Sequence, residues 1–127
     1  MKYKKMPKKN PMNRDLPPKY YAIPVSSGNV TLDTLASRIE RLSSLSKGDI
    51  LNVLSGFLEE MPEYLKDGKS VKLGDFGTMR LSFSSEGVDT EEEVNSDLIK
   101  EIRVIFTPGV KLKDELKRTS FEEQKLQ

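Results

Sequence analysis

KSVKLGDFGTMRLSF, running from Lys69 to Phe83, alternates polar and apolar residues on both sides of a glycine-bracketed corner. Val71 and Leu73 flank Lys72; after Gly74-Asp75-Phe76-Gly77 the chain resumes with Met79, Leu81 and Phe83 at every second position. Period-two patterning around a turn whose glycines can take positive φ predicts a β-hairpin. The alternation returns at Ile102, Val104 and Phe106 and stops at Thr107-Pro108-Gly109. A short helix is expected next, Val110 to Arg118, carrying Lys111, Lys113, Lys117 and Arg118. A strand, a Pro-Gly break and a basic helix give a small sheet a positively charged end. The residues by themselves thus describe a small α+β domain with basic surface.

Upstream, Thr31 is a good N-cap for a helix with Leu32, Leu35, Ala36, Ile39 and Leu42 at helical spacing. Ser46 and Asp49 resemble a capping box opening a second helix, whose apolar positions include Ile50, Leu54, Phe57, Leu58, Met61 and Leu65. Pro62 removes one backbone hydrogen bond and predicts a kink; Gly68 supplies the stop. Such a helix carries more apolar surface than one neighbouring helix can cover, and dimerisation is the physical solution.

Gly74-x-Phe76-Gly77-Thr78 after a Val-x-Leu strand, followed by Phe106-x-Pro108-Gly109-x-x-Leu112-Lys113, resembles the HU/IHF family of bacterial histone-like DNA-binding proteins. The likeness covers roughly Leu32 to Arg118. It implies two N-terminal helices, a three-stranded antiparallel sheet with a β-arm, a short C-terminal helix and an intertwined dimer. It also implies that Phe57, Phe76, Met79 and Phe106 belong to the dimer core. Met79 stands where an aromatic is usual, a swap that a thioether's adaptability allows. By the same resemblance the protein is a nucleoid-associated dimer that binds double-stranded DNA, placed in the bacterial cytoplasm. The arm departs from the family pattern: Ser84 to Asp97 holds six acidic residues and no Pro, Arg or Lys. It lacks both the positive charge and the proline wedge that the family's arms use on DNA.

Of the 127 residues, 32% are charged, yet the net charge is only +1. The charges are segregated. Residues 1 to 21 contain seven Lys or Arg against Asp15 alone, and blocks of this kind usually form interaction tails or solvated loops. Met1 to Pro18, rich in Lys, Pro and Asn, is expected to be a flexible basic arm. Residues 19–118 are read as the HU-like domain and 119–127 as a C-terminal tail. Lys19 to Val25 has strand composition, and Pro24 places it on an edge of the sheet.

No cysteine or histidine is present, which excludes disulfides, thiolate metal sites and the commonest general base. No carboxylate pair, activated nucleophile or phosphate loop has suitable spacing, so neither an enzyme nor a cofactor is expected, and no small-molecule substrate. Glu91-Glu92-Glu93 reads as a solvated run rather than a metal site. No apolar run suits a membrane span, and no membrane partner is expected. The expected DNA contacts are to backbone phosphates, with little sequence specificity. Lys72, Arg80, Lys100, Arg103, Lys111 and Lys113 are the candidates on the sheet and last helix, with Lys4, Lys5, Lys8 and Lys9 on the arm. The alternative is a dimerisation or regulatory module that keeps the fold without tight DNA binding, favoured by the acidic arm. A homodimer is the expected assembly in both cases.

Overall fold

Lys2–Lys8 (β1) pairs antiparallel with Lys19–Val25 (β2), from Lys2 opposite Val25 to Lys8 opposite Lys19. In this computed structural model, which describes residues 1–125, the first 18 residues are therefore a strand and a turn, not the expected flexible arm. Two asparagines hold the turn. Asn10 Oδ1 accepts from the Met12 amide at 2.9 Å and Asn13 Oδ1 from the Asp15 amide at 3.1 Å, side-chain mimics of a backbone turn. Pro24 lies on an outer strand as expected, but that strand edges a sheet of its own rather than the sheet of the main domain.

The main unit spans Thr31–Leu116. It opens with α1, Leu32–Leu42, capped by Thr31 Oγ1 accepting from the Thr34 amide. Next comes α2, Lys47–Lys66, where Ser46 Oγ accepts from the Asp49 amide at 3.2 Å. The corner between the helices is tied twice. The Lys47 amide donates to Glu40 Oε2 at 2.6 Å, and the Lys47 ammonium lies 2.9 Å from Asp33 Oδ1. Helix α2 continues through Pro62 to Lys66, and Gly68 follows at φ +79°.

A three-stranded antiparallel sheet follows: Val71–Lys72 (β3), Gly77–Ser85 (β4) and Ile99–Pro108 (β5), in the order β3-β4-β5. The glycine corner is a 3-10 turn over Gly74–Phe76, with Gly74 at φ +59°. Helix α3 covers only Val110–Leu116, so Lys117 and Arg118 lie beyond the helix that was expected to include them. The ladder is regular from Gly77 opposite Pro108 to Ser82 opposite Arg103, then shifts so that Ser84 faces Lys100. The extra residue is on β5. Glu101, at φ +50°, is the only non-glycine residue among those described with positive φ, which marks a β-bulge.

The last strand, Glu122–Glu123 (β6), runs parallel to Lys2–Tyr3 and completes a second sheet in the order β2-β1-β6. The Gln124 amide donates to the Tyr3 carbonyl at 2.8 Å, and the Met1 ammonium to the Ser120 carbonyl at 2.8 Å. Part of the expected C-terminal tail is therefore sheet; its last two residues, 126–127, lie outside the described residues. The unit boundary falls after Val30, not before Lys19, with both chain ends forming the second unit.

A single chain buries little. Among the described residues, Ala36, Ile50 and Leu65 are the only buried apolar side chains. The accessible surface is 11203 Å², where a folded monomer of 14.4 kDa exposes about 6,800 Å². On α1 and α2, Leu35, Ile39, Leu42, Val53, Phe57 and Leu58 are all exposed.

Candidate nucleic-acid interface

The two motifs of the sequence meet at one corner. The Gly109 amide donates to the Phe76 carbonyl at 2.9 Å, the Leu73 amide donates to the Gly77 carbonyl at 2.8 Å, and the Phe76 and Phe106 rings lie 5.4 Å apart. Both glycines are sterically required. A Cβ on Gly77 would come within 2.5 Å of the Phe106 ring and the Thr107 carbonyl; one on Gly109 would overlap the Asp75 carbonyl. Gly77 also takes φ +153°, a conformation essentially restricted to glycine. Their role is backbone packing, which fixes where β5 hands over to α3.

From this corner the register sorts the sheet into two faces, since residues directly opposite in a ladder share a side. Val71, Met79 and Phe106 are aligned on one face, with Leu81 and Val104 next along it. Lys72 opposes Thr78 on the other face, followed by Arg80 opposite Ile105 and Ser82 opposite Arg103. Uninterrupted alternation would then bring Glu101 to this face and turn Lys100 away. The bulge reverses that: Lys100 pairs with Ser84 and joins Arg80 and Arg103. All four sheet candidates, Lys72, Arg80, Lys100 and Arg103, thus share one face, and no acidic residue has a paired position on it. All four are exposed, and among the described residues no ion pair engages them. Lys66 is different: a hydrogen bond and the charge of Glu63, 2.9 Å away, raise its pKa above the usual lysine value.

Lys111 and Lys113 are on α3. Lys111 borders a shallow hollow of about 290 Å³ with Asp75, Phe76, Leu112 and Glu115, so two carboxylates line the same hollow. At the far end of β4 and β5 the tip is folded into short 3-10 turns at Glu91–Glu93 and Ser96–Leu98. Thr90 Oγ1 donates to Glu93 Oε1 at 2.9 Å, Asn95 Nδ2 to the Glu93 carbonyl at 3.1 Å, and the Asp97 amide to Asn95 Oδ1 at 2.8 Å. These bonds order the acidic loop, and no ion pair among the described residues neutralises it.

In the second unit, Lys4 and Lys8 share a face of β1. Lys5 is on the opposite face, 3.3 Å from Glu123, and Lys9 follows the strand. Lys2 and Lys19, which sequence reasoning did not single out, share the face of Lys4 and Lys8. The every-second-residue spacing of Lys2, Lys4, Met6 and Lys8 was the available signal. Of the expected dimer-core residues, Met79 is half-buried, while Phe57, Phe76 and Phe106 remain 43%, 54% and 38% exposed in the single chain.

A family model described as an HU domain fused to wHTH, Ig, or glycine-rich motif matches residues 1–123. The chain belongs to this HU-domain family. The match includes the N-terminal sheet as well as the main unit. Among curated relatives, this HU-domain chain is 33% identical over 92 residues to the integration host factor subunit alpha of Pseudoalteromonas atlantica, covering 71% of this chain and 94% of the relative. It is 36% identical over 86 residues to the subunit alpha of Haemophilus influenzae, covering 64% and 90%. A crystal structure of a Bacteroides vulgatus protein superposes with a TM-score of 0.62 at 15% identity, which is a likeness of fold. It covers 96% of this chain, and the chain spans 47%, about half, of that protein's length.

Proposed function

We propose that this HU-domain chain is an architectural, nucleoid-associated DNA-binding protein that acts as a homodimer with little sequence specificity. The observation that carries the reading is the bulge-set basic face with Lys72, Arg80, Lys100 and Arg103 in register and no carboxylate among them. Such a face suits phosphates, whose contacts position a protein without reading sequence. Lys111 and Lys113 on α3 are further candidates. The family and the integration host factor relatives support the same reading. The dimer is supported by the exposed apolar faces of α1 and α2 and by the half-exposed Phe57 and Phe106. It predicts that these surfaces close against a second copy.

The ordered acidic tip favours one other reading, a dimerisation or regulatory module without tight DNA binding. Fluorescence anisotropy on a random-sequence duplex, titrated across salt, separates them. The DNA reading expects affinity that falls linearly on a log–log plot against salt, with a slope near −0.9 per phosphate contact. A folded dimer with no measurable affinity at 50 mM salt would leave the regulatory reading standing alone.

A further inference from the structure

Building on the DNA-binding reading, we infer that the β1–β2 hairpin is a second duplex-binding ribbon, gripping phosphates with the face that carries Lys2, Lys4, Lys8 and Lys19. The register puts these four lysines on one side, together with Met6, Tyr21, Ile23 and Val25 and, beside Lys2, Glu122 of β6. All four lysines are exposed, and none forms an ion pair among the described residues. The Lys8 ammonium lies 5.7 Å from the centre of the Tyr21 ring, an arrangement that steadies its stem on the same face. Lys5 serves as the internal contrast, since it points to the other face and is held by Glu123 at 3.3 Å.

The dimensions suit a duplex. From Lys2 to Lys8 the strand advances about 20 Å, the length of about six base-pair steps along the helix axis at about 3.4 Å each. Beyond Lys2–Tyr3, where β6 pairs with β1, the hairpin is two-stranded, and a two-stranded ribbon is an element that the major groove of DNA admits. Within residues 1–30 the acid is confined to Asp15, in the turn. On β6, Glu122 pairs with Lys2 and shares its end of the face, so Lys4, Lys8 and Lys19 are the lysines of the face with no carboxylate paired beside them. Because the hairpin is already ordered, binding does not have to bear the entropy of ordering a loose tail. The ribbon of β4 and β5 ends instead in six carboxylates, which makes β1–β2 the better-charged of the two hairpins. A lipid surface is the weaker match, because the face interleaves its lysines with Met6, Tyr21, Ile23 and Val25 instead of gathering apolar side chains into one patch to insert, and Ile23 and Val25 are half-buried.

The test uses the full chain with Lys2, Lys4, Lys8 and Lys19 all changed to Gln, beside a Lys5→Gln control and a variant with the four sheet-face cations changed to Gln. Anisotropy on a random duplex between 50 and 300 mM salt should show the hairpin variant's slope flattened by about 3.6, four phosphates at about 0.9 each, while Lys5→Gln keeps the wild-type slope. Mass-spectrometric acetylation of the wild type is independent of any variant's folding. Duplex should protect Lys2, Lys4, Lys8 and Lys19 and leave Lys5 unchanged. A wild-type slope in the hairpin variant together with a flattened slope in the sheet-face variant would overturn the ribbon and leave the DNA reading intact. Unprotected hairpin lysines would overturn the ribbon as well. So would loss of binding to anionic phosphatidylserine vesicles in the hairpin variant with duplex binding unchanged. No duplex binding by the wild type would overturn both.

Discussion

Gly109 donates its amide to the carbonyl of Phe76 at 2.9 Å, at a point where neither backbone leaves room for a side chain on the glycine. This bond joins the two motifs that look independent in the sequence, the glycine corner before β4 and the Pro-Gly break after β5. It fixes the start of α3 and, through Phe76 and Phe106, the position of the apolar face of the sheet.

Gly109→Ala should therefore destabilise the chain by about 1–3 kcal/mol, the usual cost of forcing atoms into filled space. Gly77→Ala should cost at least as much, because its positive φ adds backbone strain to the clash with Phe106. Urea unfolding followed by circular dichroism measures both. A midpoint unchanged from wild type in either variant would show that the corner is not tightly packed.

Phe57 gives a test of the homodimer. It is 43% exposed in one chain, so its truncation in a monomer would remove only a partly buried ring. If a second copy covers it, Phe57→Ala should cost about 3–5 kcal/mol, the range for a packed core. The wild-type melting temperature should also rise with protein concentration, as linkage to association requires. Sedimentation of a stable monomer at low micromolar concentration would contradict the dimer.

The helices and the β3–β4–β5 sheet were legible because their signals are local: caps at Thr31 and Ser46, period-two alternation, and glycines at the corner. Of the N-terminal sheet, β2 was legible at Lys19–Val25 from its strand composition, and β1 was not. Strand β1 reads as a solvated tail because its lysines hide the alternation, and its support comes from far away: Met1 bonds to Ser120 and Tyr3 to Gln124. Pairing of that kind leaves no short-range signature. The sheet candidates were found as residue types, but their gathering on one face was not, since it depends on a bulge centred on Glu101 rather than on a glycine.

The acidic tip should weaken DNA binding by repulsion. Changing Glu91, Glu92 and Glu93 together to Gln should tighten binding at 50 mM salt, with the gain shrinking as the screening length falls from about 14 Å toward 8 Å at 0.15 M. Glu93 also accepts from Thr90 Oγ1, and Gln keeps an oxygen for that bond. Weaker binding by the triple variant would mean that the tip's carboxylates help to hold the duplex.

The bulge allows a test in which net charge is held constant. Lys100 faces the same side as Arg80 and Arg103 only because Glu101 takes up the extra residue at φ +50°. Exchanging the two, Lys100→Glu with Glu101→Lys, leaves the composition unchanged and places a carboxylate at the arm end of the proposed phosphate-binding face. Affinity for random duplex at 100 mM salt should then fall by about tenfold or more, because a lysine–phosphate hydrogen bond of about 1.5 kcal/mol gives way to a repulsion. The salt slope should flatten by about 0.9, the share of a single neutralised phosphate. Circular dichroism should be unaffected, because both side chains are exposed. If affinity depended only on the overall charge of the ribbon, the exchange would have no effect. Wild-type binding by the exchanged variant would therefore show that the face defined by the bulge is not the one that meets DNA.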